Sequence, residues 1–243
     1  GVCIDQKAFS HFLSEVEDRL THLTRVIFDQ AGCEFNLRST QQLAEILFDR
    51  LGLKPGRKTP GGQPSTEVSV LEGLQHQHPI IGRIVEYRSL EKLRSTYLEP
   101  LPKQVDQDSR LHTTFNNLAT ATGRLSSSKP NLQNIPVRGD FGPRMRACFI
   151  APAGKSLIAA DYSQIELRVL AHMSQDPNLL EAFANNEDIH TRTASLLFDH
   201  PAQDITADQR RKAKTINFGL LYGMGPQKLA RELSITMNEA KSF

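Results

Sequence analysis

The N-terminal part of the chain contains an apolar repeat that restricts its fold more than any other feature. Six apolar residues follow one another at alternating intervals of four and three, and they are Phe9, Leu13, Val16, Leu20, Leu23 and Ile27. This spacing places them along one face of an α-helix, and Gly32 is typical of the position just after a helix end. A long helix with such a face needs a partner that covers it.

A second apolar repeat supplies the expected partner. Its residues are Ile80, Ile84, Tyr87, Leu90, Leu93 and Tyr97. Between the two repeats, Ser39 and Gln42 have the spacing of a capping box, so we expect a shorter helix that ends near Gly52. The segment 54–66 is rich in Pro, Gly, Lys and Arg, which predicts a flexible loop. The N-terminal half is therefore predicted to be mainly helical.

Two short runs further along the chain favour β-structure. Residues 146–150 and 156–160 are largely apolar and are joined by Ala-Pro-Ala-Gly-Lys, which predicts a hairpin. Helical patterns resume after Ser163. The expected fold class is α+β, mainly helical, with a small antiparallel sheet.

The composition excludes several classes of protein. With 39% hydrophobic and 23% charged residues, the chain has ordinary globular content. No apolar run approaches the roughly 18 residues of a membrane span, and no signal peptide is indicated. The three cysteines are widely spaced without a Cys-x-x-Cys pair, which argues against a zinc site or a disulfide framework. A formal net charge of +2 does not by itself indicate nucleic-acid binding, so any basic groove must come from local clustering.

Near the end of the chain, two cations and two aromatic residues recur at intervals of four. They are Arg210, Lys214, Phe218 and Tyr222. In a helix each step of four turns about 40° and rises about 6 Å, so these side chains form one stripe. Thr206 and Gln209 predict a capping box at the helix start, and the positive helix N-terminus adds to the cations. The stripe suits a nucleoside triphosphate; the alternative is two core rings beside a solvated charged face.

A carboxylate closes a short apolar run upstream of this helix. Residues 157–160 have the pattern of a buried strand that ends on Asp161. A buried carboxylate requires a compensating cation or hydrogen bonds, so Asp161 is a candidate Mg²⁺ ligand beside substrate phosphates. The alternative is an ordinary acidic residue at a helix start, where Ser163 and Glu166 would form a capping box.

Three longer runs resemble a known family. They are Thr-Ala-Thr-Gly-Arg-Leu-Ser-Ser-Ser-Lys-Pro-Asn-Leu-Gln-Asn-Ile-Pro-Val-Arg at 120–138, Asp-Tyr-Ser-Gln-Ile-Glu-Leu-Arg at 161–168 and Arg-Arg-Lys-Ala-Lys-Thr-Ile-Asn-Phe-Gly-Leu-Leu-Tyr-Gly at 210–223. These runs resemble the palm and fingers motifs of family A DNA polymerases, most closely those of the bacterial polymerase I group. The segments 58–66 and 86–97 are similar to the thumb of that family. The resemblance covers nearly the whole chain, and three long motifs in order are highly specific.

The resemblance implies the right-hand polymerase architecture in an incomplete form. It assigns residues 1–110 to a helical thumb, 111–189 to part of the palm and 190–243 to part of the fingers. It also implies template-directed DNA synthesis in replication or repair, with Mg²⁺ as cofactor, primer–template DNA and dNTPs as partners, a cytoplasmic location and no membrane. The alternative function is that of a noncatalytic nucleic-acid-binding module with a polymerase-like fold.

Residue by residue, the resemblance implies a catalytic metal and nucleotide site. Asp161 matches the carboxylate that binds both metal ions, and the backbone carbonyl of Tyr162 resembles a further ligand. Lys214 is a second catalytic candidate, since it could protonate the leaving pyrophosphate. The implied nucleotide contacts are Arg210 and Lys214 at the triphosphate, His190 at a phosphate, Phe218 at the sugar, Glu166 against the 2′ position, Gln164 beside the nucleotide and Tyr222 at the templating position.

The resemblance implies DNA contacts in the rest of the chain. The residues concerned are Arg88, Lys92, Arg124, Asn131, Gln133, Asn134 and Tyr222. Taken alone, Arg88 and Lys92 could equally be surface partners of Glu86 or Glu91. The basic loop 54–66 could likewise be a solvated linker or a phosphate contact.

One expected element of the polymerase site is missing from the sequence. Family A polymerases take a second metal-binding Asp from a later His-Asp hairpin, and no His-Asp pair occurs in the 243 residues. We therefore expect a fragment or half of a split enzyme that is inactive alone and needs the missing C-terminal palm segment in cis or in trans. Gly1 in place of an initiator Met agrees with this expectation.

Overall fold

A computed structural model describes residues 1–59, 61–137, 139–233 and 235–242, with backbone alone at 220, 231, 232 and 242. Pro60 and Arg138, which belong to the segments that resemble polymerase motifs, lie outside the described residues. The chain divides into two compact units, Gly1–Ile158 and the residues from Ala159 onward. None of the described helices combines the length and the apolar character that crossing a membrane requires.

The first apolar repeat forms the long helix α1, Gln6–Ala31. Its N-terminus is capped by the Asp5 carboxylate, which accepts a hydrogen bond of 3.0 Å from the Ala8 backbone N–H. Gly32 adopts a left-handed conformation and ends the helix, as predicted. The buried residues of α1 are Phe9, Phe12, Val16, Leu20, Leu23, Ile27 and Ala31. The apolar face is therefore the predicted one, except that Phe12 is buried where the repeat has the half-buried Leu13.

The second repeat forms α4, Ile80–Leu93, which continues as a π-helical turn over Arg94–Leu98. This helix packs against α1, and their apolar faces share one core. The shorter helix α2, Thr40–Ala44, continues as a π-helical segment over Glu45–Arg50. The Ser39 hydroxyl caps it by accepting from the Gln42 backbone N–H at 3.3 Å. The predicted helices of the N-terminal half are thus confirmed.

The predicted flexible loop 54–66 has regular backbone hydrogen bonds instead. The Thr59 N–H donates to the Gln63 carbonyl at 2.7 Å, and the Ser65 N–H donates to the Arg57 carbonyl at 2.8 Å. Ser65 and Thr66 are buried where the segment meets the following helix α3, Val68–Gly73. The polar composition of the loop therefore reflects a turn that folds back on itself.

Two small antiparallel sheets complete the first unit. In the three-stranded sheet, the central strand β1, Val2–Ile4, pairs with β2, Arg110–Leu111, and with a later strand, β5, Phe149–Ile150. The other sheet pairs β3, Thr114–Asn116, with β4, Ser126–Ser128. The predicted boundary between the first two regions, at residues 110 and 111, falls inside β2. Strand β1 pairs with β2 and with β5, so it joins segments from both sides of that boundary. A single turn of 3₁₀ helix, Pro102–Gln104, precedes β2.

The predicted hairpin between 146–150 and 156–160 is wrong. Arg146 lies in helix α5, Gly142–Ala147, and β5 pairs with β1. Residues 156–160 form no strand and are exposed, with Ile158 90% accessible. An apolar run becomes a strand only where a neighbouring backbone completes its hydrogen bonds, and no described residue pairs with 156–160.

The second unit is helical in its described part. Its helices are α6, Ile165–Ser174; α7, Pro177–Ala184; α8, Ile189–Phe198; α9, Ala207–Leu221; α10, Pro226–Leu233; and α11, Met237–Ser242. A 3₁₀ turn, Ala202–Asp204, connects α8 to α9. Helix α8 packs closely on α9, while Leu167, Ala182 and Ile189 form a small separate core. The fold is therefore α+β and mainly helical, as predicted.

Candidate functional site

The N-terminus of α9 is built by the predicted capping box. The Gln209 backbone N–H donates to the Thr206 hydroxyl at 3.2 Å, and the Thr206 N–H donates to Oε1 of Gln209 at 2.9 Å. These two bonds satisfy donors that the first helical turn leaves open. Arg210 consequently lies within the positive end of the helix dipole.

The stripe on α9 remains largely open to solvent. Arg210 and Lys214 are exposed, Phe218 is half-buried, and Tyr222, just beyond the helix end, is 59% exposed. Among its described side chains, α9 buries Ala213 and Ile216 instead. The alternative in which Tyr222 is a core residue is therefore wrong. The stripe leaves room for a ligand along α9.

An ion pair joins the start of α9 to the start of α8. The Arg210 guanidinium lies 2.6 Å from Oδ2 of Asp188, while Oδ1 of Asp188 accepts from the Thr191 N–H at 2.8 Å and caps α8. Burial alone would raise the pKa of Asp188, but the hydrogen bonds from Arg210 and Thr191 outweigh it and hold that pKa below its ordinary value. One carboxylate thus serves as both a helix cap and a partner for the first cation of the stripe.

His190 is enclosed between the same two helices. Only 3% of its surface is exposed. Its Nδ1 lies 3.1 Å from the Asn217 amide nitrogen, and its ring lies 5.6 Å from the Phe218 ring centroid. Burial is the main cause of a lowered pKa of His190. The positive charges of Arg210 and Lys214 lower this pKa further, while the negative charge of Asp188 raises it. The structure therefore groups His190, Arg210, Lys214 and Phe218 around the α8–α9 contact.

Asp161 occupies a different environment from the one predicted. It is exposed and follows a run that forms no strand, so the argument from a buried carboxylate is wrong. The predicted capping box of Ser163 and Glu166 is also wrong, because the N-cap of α6 is Gln164, in a left-handed conformation. Ser163 lies one residue too early to cap, and its carbonyl instead accepts from Nε of Arg168 at 3.0 Å.

The Asp161 segment supplies hard oxygen ligands in small number. Asp161 offers one carboxylate and Tyr162 a backbone carbonyl, and among the described residues no three His, Cys, Asp or Glu side chains converge on a metal position. Mg²⁺ binds well to one or two carboxylates when phosphates and waters complete its octahedral shell. The donor chemistry therefore fits Mg²⁺ held jointly with a phosphate ligand. In addition, Oε1 of Gln164 is buried without a hydrogen-bond partner, which leaves an unused acceptor beside this turn.

In the first unit, Arg88 has an intramolecular role that the sequence did not predict. Its guanidinium donates to the Thr66 carbonyl and, at 3.3 Å, to the Thr66 hydroxyl. Burial lowers its pKa. The alternative prediction paired Arg88 with Glu86 or Glu91. In the structure Glu86 pairs with Arg19 and Glu91 with Arg94 instead. Arg88 therefore holds the 54–66 loop on α4.

Lys92, Asn131 and Asn134 line one cleft of about 430 Å³, together with Tyr97. Lys92 and both asparagines are exposed, whereas Tyr97 is buried and donates from its hydroxyl to the Asn134 carbonyl. The structure thus brings together three of the predicted DNA-binding residues. Two further predicted DNA-binding residues, Arg124 just before β4 and Gln133 shortly after it, are exposed but do not line this cleft.

The segment 131–134 is organised by a buried serine that sequence reasoning missed. The Ser127 hydroxyl donates to Oδ1 of Asn131 at 3.1 Å and accepts from the backbone N–H groups of Leu132, at 3.0 Å, and Gln133, at 3.2 Å. Oδ1 of Asn131 also accepts from the Gln133 N–H at 3.0 Å. Because Oδ1 is satisfied internally, the Asn131 amide presents its N–H donors outward. A Ser-Ser-Ser run in the sequence does not show which hydroxyl is buried.

We expect Ser127→Ala to destabilise the first unit by about 1–3 kcal/mol, because the Leu132 N–H loses its acceptor and the Gln133 N–H keeps only Oδ1 of Asn131. Urea unfolding of the variant would measure this loss. Ser126→Ala changes a neighbouring, only half-buried hydroxyl and serves as the control, for which we expect less than about 0.5 kcal/mol. Equal stability of the two variants would contradict the role of Ser127.

We expect the stability that Asp188 provides to depend on pH. Since its pKa is lower in the folded state, its contribution is present above the ordinary Asp pKa of about 3.9 and is lost as the pH falls through the folded value. Asp188→Asn keeps the cap and removes the charge, which should cost up to about 1 kcal/mol at pH 7 and nothing in strong acid. Asp188→Ala also loses the cap, with a further cost of about 1 kcal/mol. Urea unfolding between pH 2 and 7, roughly the range over which Asp titrates, would separate the two, and a pH-independent effect of the Asn variant would refute the ion-pair contribution.

The chain is similar in sequence to known DNA polymerases. Residues 6–243 match the model of DNA polymerase family A. The chain is 51% identical to the thermostable DNA polymerase I of Thermus aquaticus and 46% identical to DNA polymerase I of Pseudomonas aeruginosa; each alignment covers all of this chain but only 29% and 27% of those proteins. The chain thus spans less than a third of the length of these relatives.

The fold is also similar to a solved polymerase structure, the POL domain of Pol1 from M. smegmatis in complex with DNA primer-template and dNTP. The TM-score is 0.91 and the sequence identity 38%, over 100% of this chain and 43% of that chain. The family match over residues 6–243 and this likeness of fold show that the chain belongs to DNA polymerase family A.

Proposed function

We propose that this chain provides the nucleotide-binding helix and part of the DNA-binding surface of a template-directed DNA polymerase. The reaction transfers a nucleotide from a dNTP to a primer 3′-hydroxyl. The observation that carries the proposal is the open stripe on α9, where two exposed cations lie N-terminal to two aromatic rings on a capped helix. Membership of DNA polymerase family A supports the same conclusion.

The stripe orders the parts of a dNTP along the helix. Arg210 and Lys214 neutralise the triphosphate near the positive helix end. Phe218 packs against the sugar, and the exposed Tyr222 ring stacks beside the templating position. Phosphate transfer depends mainly on positioning and charge neutralisation, so these residues hold the substrate in line for attack. Lys214 also donates a proton to the departing pyrophosphate.

The Asp161 segment holds the metal and the reacting end of the nucleotide. The Asp161 carboxylate and the Tyr162 carbonyl would hold Mg²⁺, which would supply Lewis-acid stabilisation of phosphoryl oxygens. Gln164 lies at the same turn beside the nucleotide, where a change of its side-chain rotamer on binding would give its buried, unpartnered Oε1 a hydrogen-bond donor. Glu166, in the first turn of α6, packs against the 2′ position and excludes ribonucleotides.

DNA binding belongs to the first unit as well. Lys92 neutralises a backbone phosphate, and Arg124, Asn131, Gln133 and Asn134 donate to base edges in the minor groove. Acceptors there are nearly the same for all base pairs, so amide donors test pair geometry without reading sequence. Arg88 supports this surface by holding the 54–66 loop, whose exposed Lys and Arg residues lie toward the phosphates.

The test of catalysis is Asp161→Asn in the full-length protein. We expect primer extension to fall on the order of 10³-fold, because metal stabilisation of the phosphoryl oxygens is worth several kcal/mol. Duplex affinity should stay within about twofold, roughly the scatter of a neutral surface substitution. Asp199→Asn makes the same change at the exposed C-terminal cap of α8 and should extend primers normally. Full extension by the Asp161 variant would refute the metal role; unchanged DNA binding without any extension in the unmodified protein would favour the noncatalytic module.

The DNA surface is tested with Lys92→Ala and Arg88→Ala in the 243-residue chain. We expect Lys92→Ala to lower the slope of log K against log salt by about one unit, the value for one lost phosphate contact. Arg88→Ala should instead lower the free energy of unfolding by about 1.5–3 kcal/mol, since the buried Thr66 carbonyl loses its charged donor. Lys103→Ala, at an exposed position, is the control for charge alone. A salt slope that Lys92→Ala and Lys103→Ala change equally would contradict the assignment of Lys92.

A further inference from the structure

Asn217 lies in α9 between the predicted nucleotide residues, but none of the roles above is assigned to it. Its amide nitrogen lies 3.1 Å from Nδ1 of His190 and 3.0 Å from the Thr193 hydroxyl oxygen. Both partners are on α8, so one side chain of α9 bonds to two positions of the neighbouring helix. His190 is buried and Asn217 half-buried, which shields these bonds from competition by water.

This arrangement determines where the His190 ring carries its hydrogen. The Asn217 amide nitrogen only donates, so Nδ1 of His190 accepts through its lone pair. In a neutral imidazole the hydrogen then resides on Nε2. Burial and the nearby cations keep the ring neutral near pH 7, because both disfavour the imidazolium form.

The Nε2 edge of His190 remains available to a ligand. Among the described side chains, the buried nitrogen and oxygen atoms without a partner are Oε1 of Gln30 and Oε1 of Gln164. Nε2 of His190 makes no hydrogen bond with the described residues, yet it is not among these buried, unpartnered atoms. Nε2 is therefore not fully enclosed and keeps some access to solvent. The ring also contacts Phe218, whose centroid lies 5.6 Å away, on the stripe of α9.

We propose that Asn217 is a positioning residue that holds His190 in its Nε2–H tautomer, so that the ring donates a hydrogen bond to a phosphate oxygen of the bound nucleotide. The contact with a phosphate rests on the proposed function, whereas the tautomer follows from the Asn217 hydrogen bond alone. The opposite tautomer would direct a lone pair at an anionic oxygen, which is repulsive. Asn217 therefore decides whether His190 attracts or repels the ligand.

The charged groups around His190 are few. Asp188 and Arg192 belong to its own helix, and Arg210 and Lys214 approach from α9. Glu181 of α7 is bound to Arg192 at 3.1 Å. Asp188 is engaged by Arg210 and the Thr191 N–H. Asn217 is thus the residue whose hydrogen bond reaches the ring directly, and its replacement should change the tautomer.

The tautomer is measured by ¹⁵N NMR of the histidine rings in the 243-residue chain. We expect the His190 signals of the Nε2–H form. In Asn217→Asp the carboxylate accepts instead of donating, so the neutral ring should carry its hydrogen on Nδ1 and its pKa should rise. Asn178→Asp introduces the same charge at an exposed position of α7 and should leave both properties unchanged. Asn217→Ala, which removes the bias without adding charge, should give a mixture of tautomers.

Either of two NMR results would overturn the proposal: an Nδ1–H form in the unmodified chain, or an unchanged tautomer and pKa in both Asn217 variants.

The functional consequence appears in the pH dependence of the KM for dNTP in the full-length protein. In Asn217→Asp, the imidazolium at low pH still has its Nε2–H, so the KM should be near that of the unmodified protein. As the pH rises through the raised pKa of His190, the hydrogen stays on Nδ1 and the KM should increase about tenfold or more, the value of one hydrogen bond to a charged group. The unmodified protein and Asn178→Asp should show no such rise.

Parallel pH profiles for all three proteins would overturn the phosphate contact. Absence of extension by the unmodified protein would overturn the proposed function and the phosphate contact with it, while the NMR result still decides the tautomer.

Discussion

The candidate site depends on the contact between α8 and α9. Two polar connections join these helices, the Arg210–Asp188 ion pair and the Asn217–His190 hydrogen bond, and the Phe218 ring packs against His190 between them. Each of these residues also belongs to, or adjoins, the open stripe of α9. A change in the packing of α8 would therefore alter the positions of the groups that are proposed to bind the nucleotide. The Asn217–His190 bond is shielded from water and is therefore stronger than an exposed one, whereas the Arg210–Asp188 pair is partly solvated.

The proposed DNA surface of the first unit is supported in a comparable way. Its exposed amides and cations lie on segments whose buried sides are bonded elsewhere: Ser127 behind 131–134, Tyr97 behind Asn134 and Arg88 behind the 54–66 loop. The residues proposed to contact DNA are thus held in place by the buried side of the same unit. Preorganisation reduces the entropy lost when a ligand binds, because the contacting groups are already in place.

The Asp161 turn differs from both of these surfaces. Asp161 and Tyr162 are exposed, and Gln164 has a buried acceptor without a partner. An exposed carboxylate costs little in a protein without a ligand, whereas a buried orphan acceptor costs about 1–3 kcal/mol. Both features are explained if this turn is completed by metal, phosphate and nucleotide. Lys214 is likewise exposed on the open face of α9, whereas Arg210 is already paired with Asp188.

Much of the fold and part of the site could be predicted from the sequence. Periodicity located α1 and α4 and their buried faces, and the Thr206–Gln209 and Ser39–Gln42 pairs located helix starts, because these signals depend on residues within one or two turns. Motif resemblance indicated the family. Two of the predictions that failed concern partners distant in sequence: β5 pairs with β1 and not with 156–160, and Arg88 binds Thr66 and not a neighbouring glutamate. A third, the Ser163–Glu166 capping box, failed locally because α6 begins one residue later, at the left-handed Gln164.

The sequence by itself determined α1, α4 and α9, the helix starts at Ser39 and Thr206, the stripe on α9 and the resemblance to a polymerase family. Only the tertiary structure decided which strands pair, that Asp161 is exposed, that Ser127 is the buried serine of its run and that Asn217 bonds to His190. Local patterns predict local hydrogen bonds and faces, since those involve residues a few positions apart. The tautomer of a histidine or the partner of an arginine depends on which segments fold next to each other, and neighbours in sequence do not encode that.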